Sequence, residues 1–141
     1  MNILISACLL GQYCRYDGKT KVYPQVQDLF GRDGIHLIPV CPEQAGGLAT
    51  PRPAAERQGS RVVTANGSEV TAQYQRGAEA ALYWARLFHC TKAILKEKSP
   101  SCGHGQIYDG TFSRTLTAGD GVTAELLRAE GLEITGESDL P

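Results

Sequence analysis

Four short apolar runs punctuate the chain, and each is followed by turn-forming residues. Ile3 to Ala7 ends at Cys8 and is followed by Leu9-Leu10-Gly11; Ile35 to Val40 ends at Cys41; Ala93 to Leu95 leads through Lys96-Glu97-Lys98 into Ser99-Pro100-Ser101-Cys102-Gly103; Leu132 to Thr135 closes the series. Runs of this length with branched residues read as buried strands. Between them the period changes to 3.6. Val26, Leu29 and Phe30 fall at helical spacing within Tyr23 to Phe30, and the Gly31-Arg32-Asp33-Gly34 cluster ends that helix. After Val70-Thr71, with Thr71 in position to cap, Tyr74, Ala78, Ala81, Leu82, Ala85 and Phe88 share one face of a long helix. Val122 to Glu130 forms another, stopped by Gly131.

Two segments break the alternation. Residues 49–60 are rich in proline and polar residues and read as a long surface loop. Asn66-Gly67, between Arg61-Val62-Val63-Thr64 and Glu69-Val70, signals a hairpin. Strand and helix in alternation predict an α/β fold: an open, mainly parallel Rossmann-like sheet with helices on both faces and a small hairpin excursion. Functional residues in such a sheet collect beyond the carboxyl ends of the strands. Cys8, Cys41 and Cys102 would all lie there.

The length, 141 residues with 42% hydrophobic content, fits one domain over residues 1–141 with a core that needs no disulfide support. A net charge of -1 supplies no field to gather a nucleic-acid polymer or an anionic membrane, so the expected partner is a small molecule. The start of the chain lacks the basic leader of a signal peptide, and no stretch reaches the roughly 20 apolar residues of a membrane span. A cytoplasmic protein is expected, with a monomer as the default state. Five cysteines, an odd number, then point to metal binding, catalysis or burial rather than to a disulfide framework.

Any one of the five cysteines, taken alone, is best explained by burial. Context separates them. Cys41-Pro42-Glu43-Gln44-Ala45-Gly46-Gly47 and Ser101-Cys102-Gly103-His104-Gly105 are glycine-rich turns where backbone can approach a ligand closely. Cys8 ends the first strand. Cys90 ends an apolar helix and reads as packing. Cys14 is open: in a loop with Tyr13, Arg15, Tyr16 and Asp17, it could be a fourth ligand or a nearby thiol. Thiolates suit iron–sulfur clusters, zinc or copper(I), but no paired zinc spacing occurs. Glu43, two residues after Cys41, and Ser101, beside Cys102, could face the same pocket, the first to deprotonate water and the second to bond a ring. His89 reads as surface, His104 has no support as a ligand, and Arg52 and Arg57 receive no role.

Several of these stretches together resemble the thiouracil desulfurase family, long catalogued as a bacterial domain of unknown function. They are Ser6-Ala7-Cys8-Leu9-Leu10-Gly11 with Arg15-Tyr16-Asp17-Gly18, Pro39-Val40-Cys41-Pro42-Glu43 with Gly46-Gly47-Leu48 and Thr50-Pro51-Arg52, and Leu95-Lys96 with Ser99-Pro100-Ser101-Cys102-Gly103. Ile107-Tyr108-Asp109-Gly110-Thr111-Phe112 and Gly119-Asp120-Gly121-Val122-Thr123-Ala124 complete the set. The resemblance spans nearly the whole chain, which is expected to be the short, stand-alone form.

The resemblance implies a [4Fe–4S] cluster held by Cys8, Cys41 and Cys102 alone, with Glu43 and Ser101 catalytic and Cys14 and Cys90 dispensable. It implies a non-redox desulfuration of a small thiolated heterocycle such as 2-thiouracil, giving uracil and hydrogen sulfide, with an open iron as Lewis acid. The competing expectation is a fully ligated iron–sulfur or zinc redox or sensor module with Cys14 as fourth ligand. A third, a metal-free cysteine nucleophile, lacks an evident histidine partner.

Overall fold

A computed structural model describes residues 1–140. Four strands form a parallel sheet: β1 (Asn2–Ser6), β2 (His36–Val40), β5 (Lys92–Leu95) and β8 (Glu133–Gly136), in the order β2-β1-β5-β8. Successive side chains of a strand point to opposite faces, and this divides the core in two. Leu4, Val40, Ala93 and Leu95 pack with Ala81, Leu82 and Ala85 of α3 (Thr71–Leu87) and with Ala124 and Leu127 of α4 (Val122–Ala129). Ile3, Ile5 and Ile94 face the other way, onto Tyr23, Val26 and Leu29 around α1 (Pro24–Gln27). The mixed α/β architecture with helices on both faces of a parallel sheet is the one the sequence predicts.

The excursions differ from the sequence reading. Within the expected surface loop, Ala55–Gln58 is a strand, β3, paired antiparallel with β4 (Arg61–Thr64) about a turn at Gly59 and Ser60. The Asn66-Gly67 turn forms, but only a single bridge, Val63 to Glu69, flanks it. A second two-stranded ribbon, β6 (Gln106–Tyr108) with β7 (Leu116–Ala118), follows the Cys102 loop. The helix expected over Tyr23 to Phe30 keeps only its first turn, Pro24–Gln27, and continues as tight turns to Phe30. Thr71 does not cap α3; its hydroxyl instead accepts the Val62 N–H at 2.9 Å, tying α3 to β4. Residue 141 of the expected domain lies outside the described residues.

The short helix α2 (Pro42–Ala45) completes the frame. It crosses α3 at a pair of glycines: a Cβ built on Gly46 would stand 1.9 Å from the Gln73 carbonyl oxygen, and one on Gly77 1.8 Å from that of Pro42. No side chain fits between the two backbones, so this contact fixes where α2, and the residues it carries, sit against α3.

Candidate active site

β1 and β5 are neighbours in the sheet, but the chain leaves β1 toward β2 on one side and reaches β5 on the other. This is a topological switch point, where the loops diverge and leave a crevice. A cavity of about 540 Å³ opens there, and Cys8, Cys41 and Cys102 all line it, together with Cys14. Cys8 sits in a 3-10 turn, Ala7–Leu10, directly after β1, Cys41 precedes α2 directly after β2, and Cys102 lies in the loop after β5. The Ser6 hydroxyl accepts the Lys96 N–H at 2.9 Å and so ties the ends of β1 and β5 together at the cavity floor.

Glu43 lines the cavity and is held from two sides. The Tyr74 hydroxyl donates to Glu43 Oε1 at 2.6 Å, and Arg52 Nε donates to the same oxygen at 3.2 Å. Among the described residues no donor reaches Oε2, so the clamp leaves one carboxylate oxygen for whatever occupies the cavity. Burial, and then the charge of Glu43, push the Tyr74 hydroxyl well above its ordinary range, so it stays a donor. Arg52, its side chain only 6% exposed, also donates to the Cys14 carbonyl at 2.9 Å and to the Ala49 carbonyl and Thr50 hydroxyl. An arginine left without a role by the sequence is thus the strut between the Cys14 loop, the 49–52 loop and Glu43.

The thiols form one electrostatic unit. Hydrogen bonding with Cys14, followed by burial, pushes Cys41 far above the ordinary thiol value. For Cys14 the hydrogen bond with Cys41 pulls down, but that with Cys8, burial and the Cys8 charge outweigh it and bring the group to about 11. Burial pushes Cys102 up to about 12 against hydrogen bonding from Ser6 and Ser101. These surroundings disfavour the thiolate at Cys14, Cys41 and Cys102, and a bound cation would favour it. Among the described residues no three His, Cys, Asp or Glu side chains are grouped so as to hold a single metal ion.

Ser101 does not line this cavity. It is fully buried, its hydroxyl pairs with that of Thr123 at 2.8 Å, and its carbonyl accepts the Thr123 and Ala124 N–H groups at the start of α4. Its oxygen lies 3.9 Å from the Cys102 sulfur, on the α4 side. Ser99 is the serine on the cavity wall. Its oxygen accepts the N–H of Ser101 at 3.1 Å and of Cys102 at 3.0 Å, which leaves its own proton to donate elsewhere. Nothing in Ser-Pro-Ser tells which serine turns inward. Lys96, also unassigned by the sequence, lines the cavity with its ammonium 2.9 Å from Glu137 Oε2.

The remaining candidates lie off the cavity wall. Cys90 is packed in the α3–α4 core, and His89 is exposed. His104 sits between Asp139 and Arg128, and Arg57 bonds the Asp120 carbonyl and Glu125. No helix among the described residues is long and apolar enough to cross a membrane.

Residues 3–139 match the family model described as 2-thiouracil desulfurase. A Bacillus subtilis (strain 168) protein named uncharacterized protein YbbK is 40% identical over 148 residues, covering 98% of this chain and 97% of that protein. A solved structure described as the [4Fe-4S]-dependent thiouracil desulfidase TudS superposes with a TM-score of 0.93 at 50% identity, over 99% of this chain and 93% of that one.

Proposed function

The chain belongs to the 2-thiouracil desulfurase family, and from that membership we propose that it exchanges the sulfur of a thiolated nucleobase for oxygen, 2-thiouracil and water giving uracil and hydrogen sulfide, with a [4Fe–4S] cluster held by Cys8, Cys41 and Cys102. The observation that carries this reading is the convergence of three thiols from three strand ends and a doubly held carboxylate on one cavity. The residues present suit the cluster: thiolates are its usual ligands, and three cysteines from separate loops line the same cavity.

When bound, the cluster supplies an iron without a fourth thiolate, a Lewis acid for the thiocarbonyl sulfur. The chain's own groups do the rest. Tyr74 and Arg52 fix Glu43 Oε1 and direct Oε2 to a water, from which the carboxylate takes a proton as the water attacks carbon. The Ser99 hydroxyl, whose lone pairs serve two backbone N–H groups, donates its proton to the ring or to the developing oxyanion. Ser101 acts behind Cys102 as a positioning residue. Cys14 stays outside the ligand set, with its carbonyl held by Arg52. The reaction moves no electrons to or from a third partner: one water is consumed, and its two protons leave with the sulfide. In this reading the protein works in the cytoplasm as a single-domain monomer on a small heterocycle.

The test is anaerobic reconstitution with iron and sulfide, followed by uracil and sulfide release from 2-thiouracil. Wild type should give the two products one to one. Cys102→Ala should lose the cluster, and Glu43→Gln should keep it while activity falls about 10²–10⁴-fold, the usual contribution of a positioned base. Full activity without a cluster refutes the scheme.

A further inference from the structure

The stretch Tyr108-Asp109-Gly110-Thr111-Phe112 takes no part in the chemistry above, yet its backbone is held in an unusual form. Phe112 and Arg114, both with side chains, adopt φ of 57° and 60°, the left-handed region that bulky residues avoid. The hairpin under the loop imposes it. Glu56 Oε1, on β3, accepts the N–H groups of Gly110 at 3.0 Å and Phe112 at 3.1 Å, and Gln58 Nε2 donates to the Gly110 carbonyl at 2.7 Å. Gly110 lies so close to β3 that a Cβ there would stand 2.7 Å from Gln58 Cγ.

The result of this fastening is a phenyl ring on the cavity wall that stays 37% exposed. Tyr16 and Tyr108 line the same cavity, and none of the three rings is stacked on another aromatic ring among the described residues. Folding alone gives no reason to strain a backbone in order to leave an apolar ring in the open. We infer that Phe112 is a specificity-determining residue: a stacking surface for the planar ring of the substrate, held in place by Glu56 through the loop backbone. The inference rests on the desulfurase reading and adds the residue that recognises the π-face of the substrate ring, a contact available whatever the ring's edge groups.

The test is the affinity of the cluster-loaded protein for uracil, measured by titration calorimetry, beside the kinetics on 2-thiouracil. Phe112→Leu keeps an apolar side chain and the same backbone strain while removing the π-face. Its uracil Kd should weaken roughly 5- to 150-fold, the span reported for a stacked base, with the kinetic loss carried by KM rather than kcat, and Phe112→Tyr should restore both. Phe112→Gly separates function from folding: it should bind uracil as poorly as Phe112→Leu while melting at the same or a higher temperature, because glycine relieves the strained φ. Uracil affinity in Phe112→Leu within two-fold of wild type, or a lowered melting temperature in Phe112→Gly, overturns the inference and leaves the desulfurase reading standing. A wild-type protein that neither binds uracil nor releases sulfide from 2-thiouracil overturns both.

Discussion

Gly77→Ala is the substitution in which two rules of thumb predict opposite signs. Gly77 lies inside α3, and alanine in a helix interior is favoured over glycine by about 0.8–1 kcal/mol. On propensity alone the variant should be more stable. The added Cβ, however, would stand 1.8 Å from the Pro42 carbonyl oxygen, and real Cβ atoms essentially never come closer than 3.0 Å. Relief therefore requires α2 and α3 to part by at least about 1.2 Å, and the atom in the way is backbone, which cannot rotate aside. Overpacking of this kind costs about 1–3 kcal/mol or more. The net expectation is a loss of about 0–2 kcal/mol, with a midpoint up to roughly 8 °C lower.

The larger effect falls on the site. Pro42 immediately precedes Glu43, and the carboxylate's partner Tyr74 belongs to the helix being pushed away. A displacement near 1 Å of a group that must meet its reactant in line can cost about 100-fold in rate. Cluster content by iron and sulfide analysis, denaturation by urea and kcat on 2-thiouracil should be measured on the same preparation. Gly77→Ala should fold, bind cluster less firmly through Cys41, and lose about two orders of magnitude in kcat. A variant more stable than wild type with full activity would refute the argument that this glycine contact positions Glu43.

Tyr74→Phe removes the 2.6 Å bond to Glu43 while keeping the ring in place, and should lower kcat roughly 10-fold with the cluster retained; colour and activity of the loaded variant check it. Cys14→Ala should take up the same iron and sulfide per chain as wild type, since its thiol lies beside the ligand set, whereas loss of one iron or of the cluster would make it a ligand. The pH dependence of stability turns on Lys96. Burial disfavours its charge, but the Glu137 hydrogen bond and charge outweigh that and raise it above 10.5. A raised folded value means the stabilisation is fully present below 10.5 and lost as pH climbs through the folded value. Glu137→Gln should therefore lower the melting temperature at pH 7 and flatten the fall of melting temperature above pH 10.5.

The sheet was legible because its central strands, β1 and β5, are buried on both faces, and continuous apolar runs such as Ile3–Leu4–Ile5 have few other readings. β3 escaped notice for the opposite reason. Ala55-Glu56-Arg57-Gln58 is polar and only half-buried, so its composition is that of a loop, and its register comes from β4 and from the backbone it fastens. The β6–β7 ribbon has three residues per strand, too few for alternation to register. The cysteines could be placed at strand ends from topology, but the inward serine could not, because the path of the turn through Ser99-Pro100-Ser101 decides which hydroxyl meets the cavity and sequence carries no period there. Tyr74 and Arg52 were likewise hidden: a tyrosine in a helix stripe reads as core, and an arginine in a proline-rich loop reads as solvated, until their shared carboxylate partner is seen.

The placement of β1 at the middle of the sheet sets an order of assembly during synthesis. Ile3 pairs with Leu37 on one side and with Lys92 on the other, so the Cys8 and Cys41 loops can come together while Cys102 is still unmade. At about 5–20 residues per second the ribosome needs several seconds to supply the third thiol. The α4 helix that packs behind Cys102 and the Glu137 carboxylate that holds Lys96 are made later still. A nascent chain thus carries four free thiols, Cys8, Cys14, Cys41 and Cys90, before Cys102 is made. Under the proposed ligand set, a site for the cluster can form only after β5 has paired with β1 and brought the Cys102 loop to the other two.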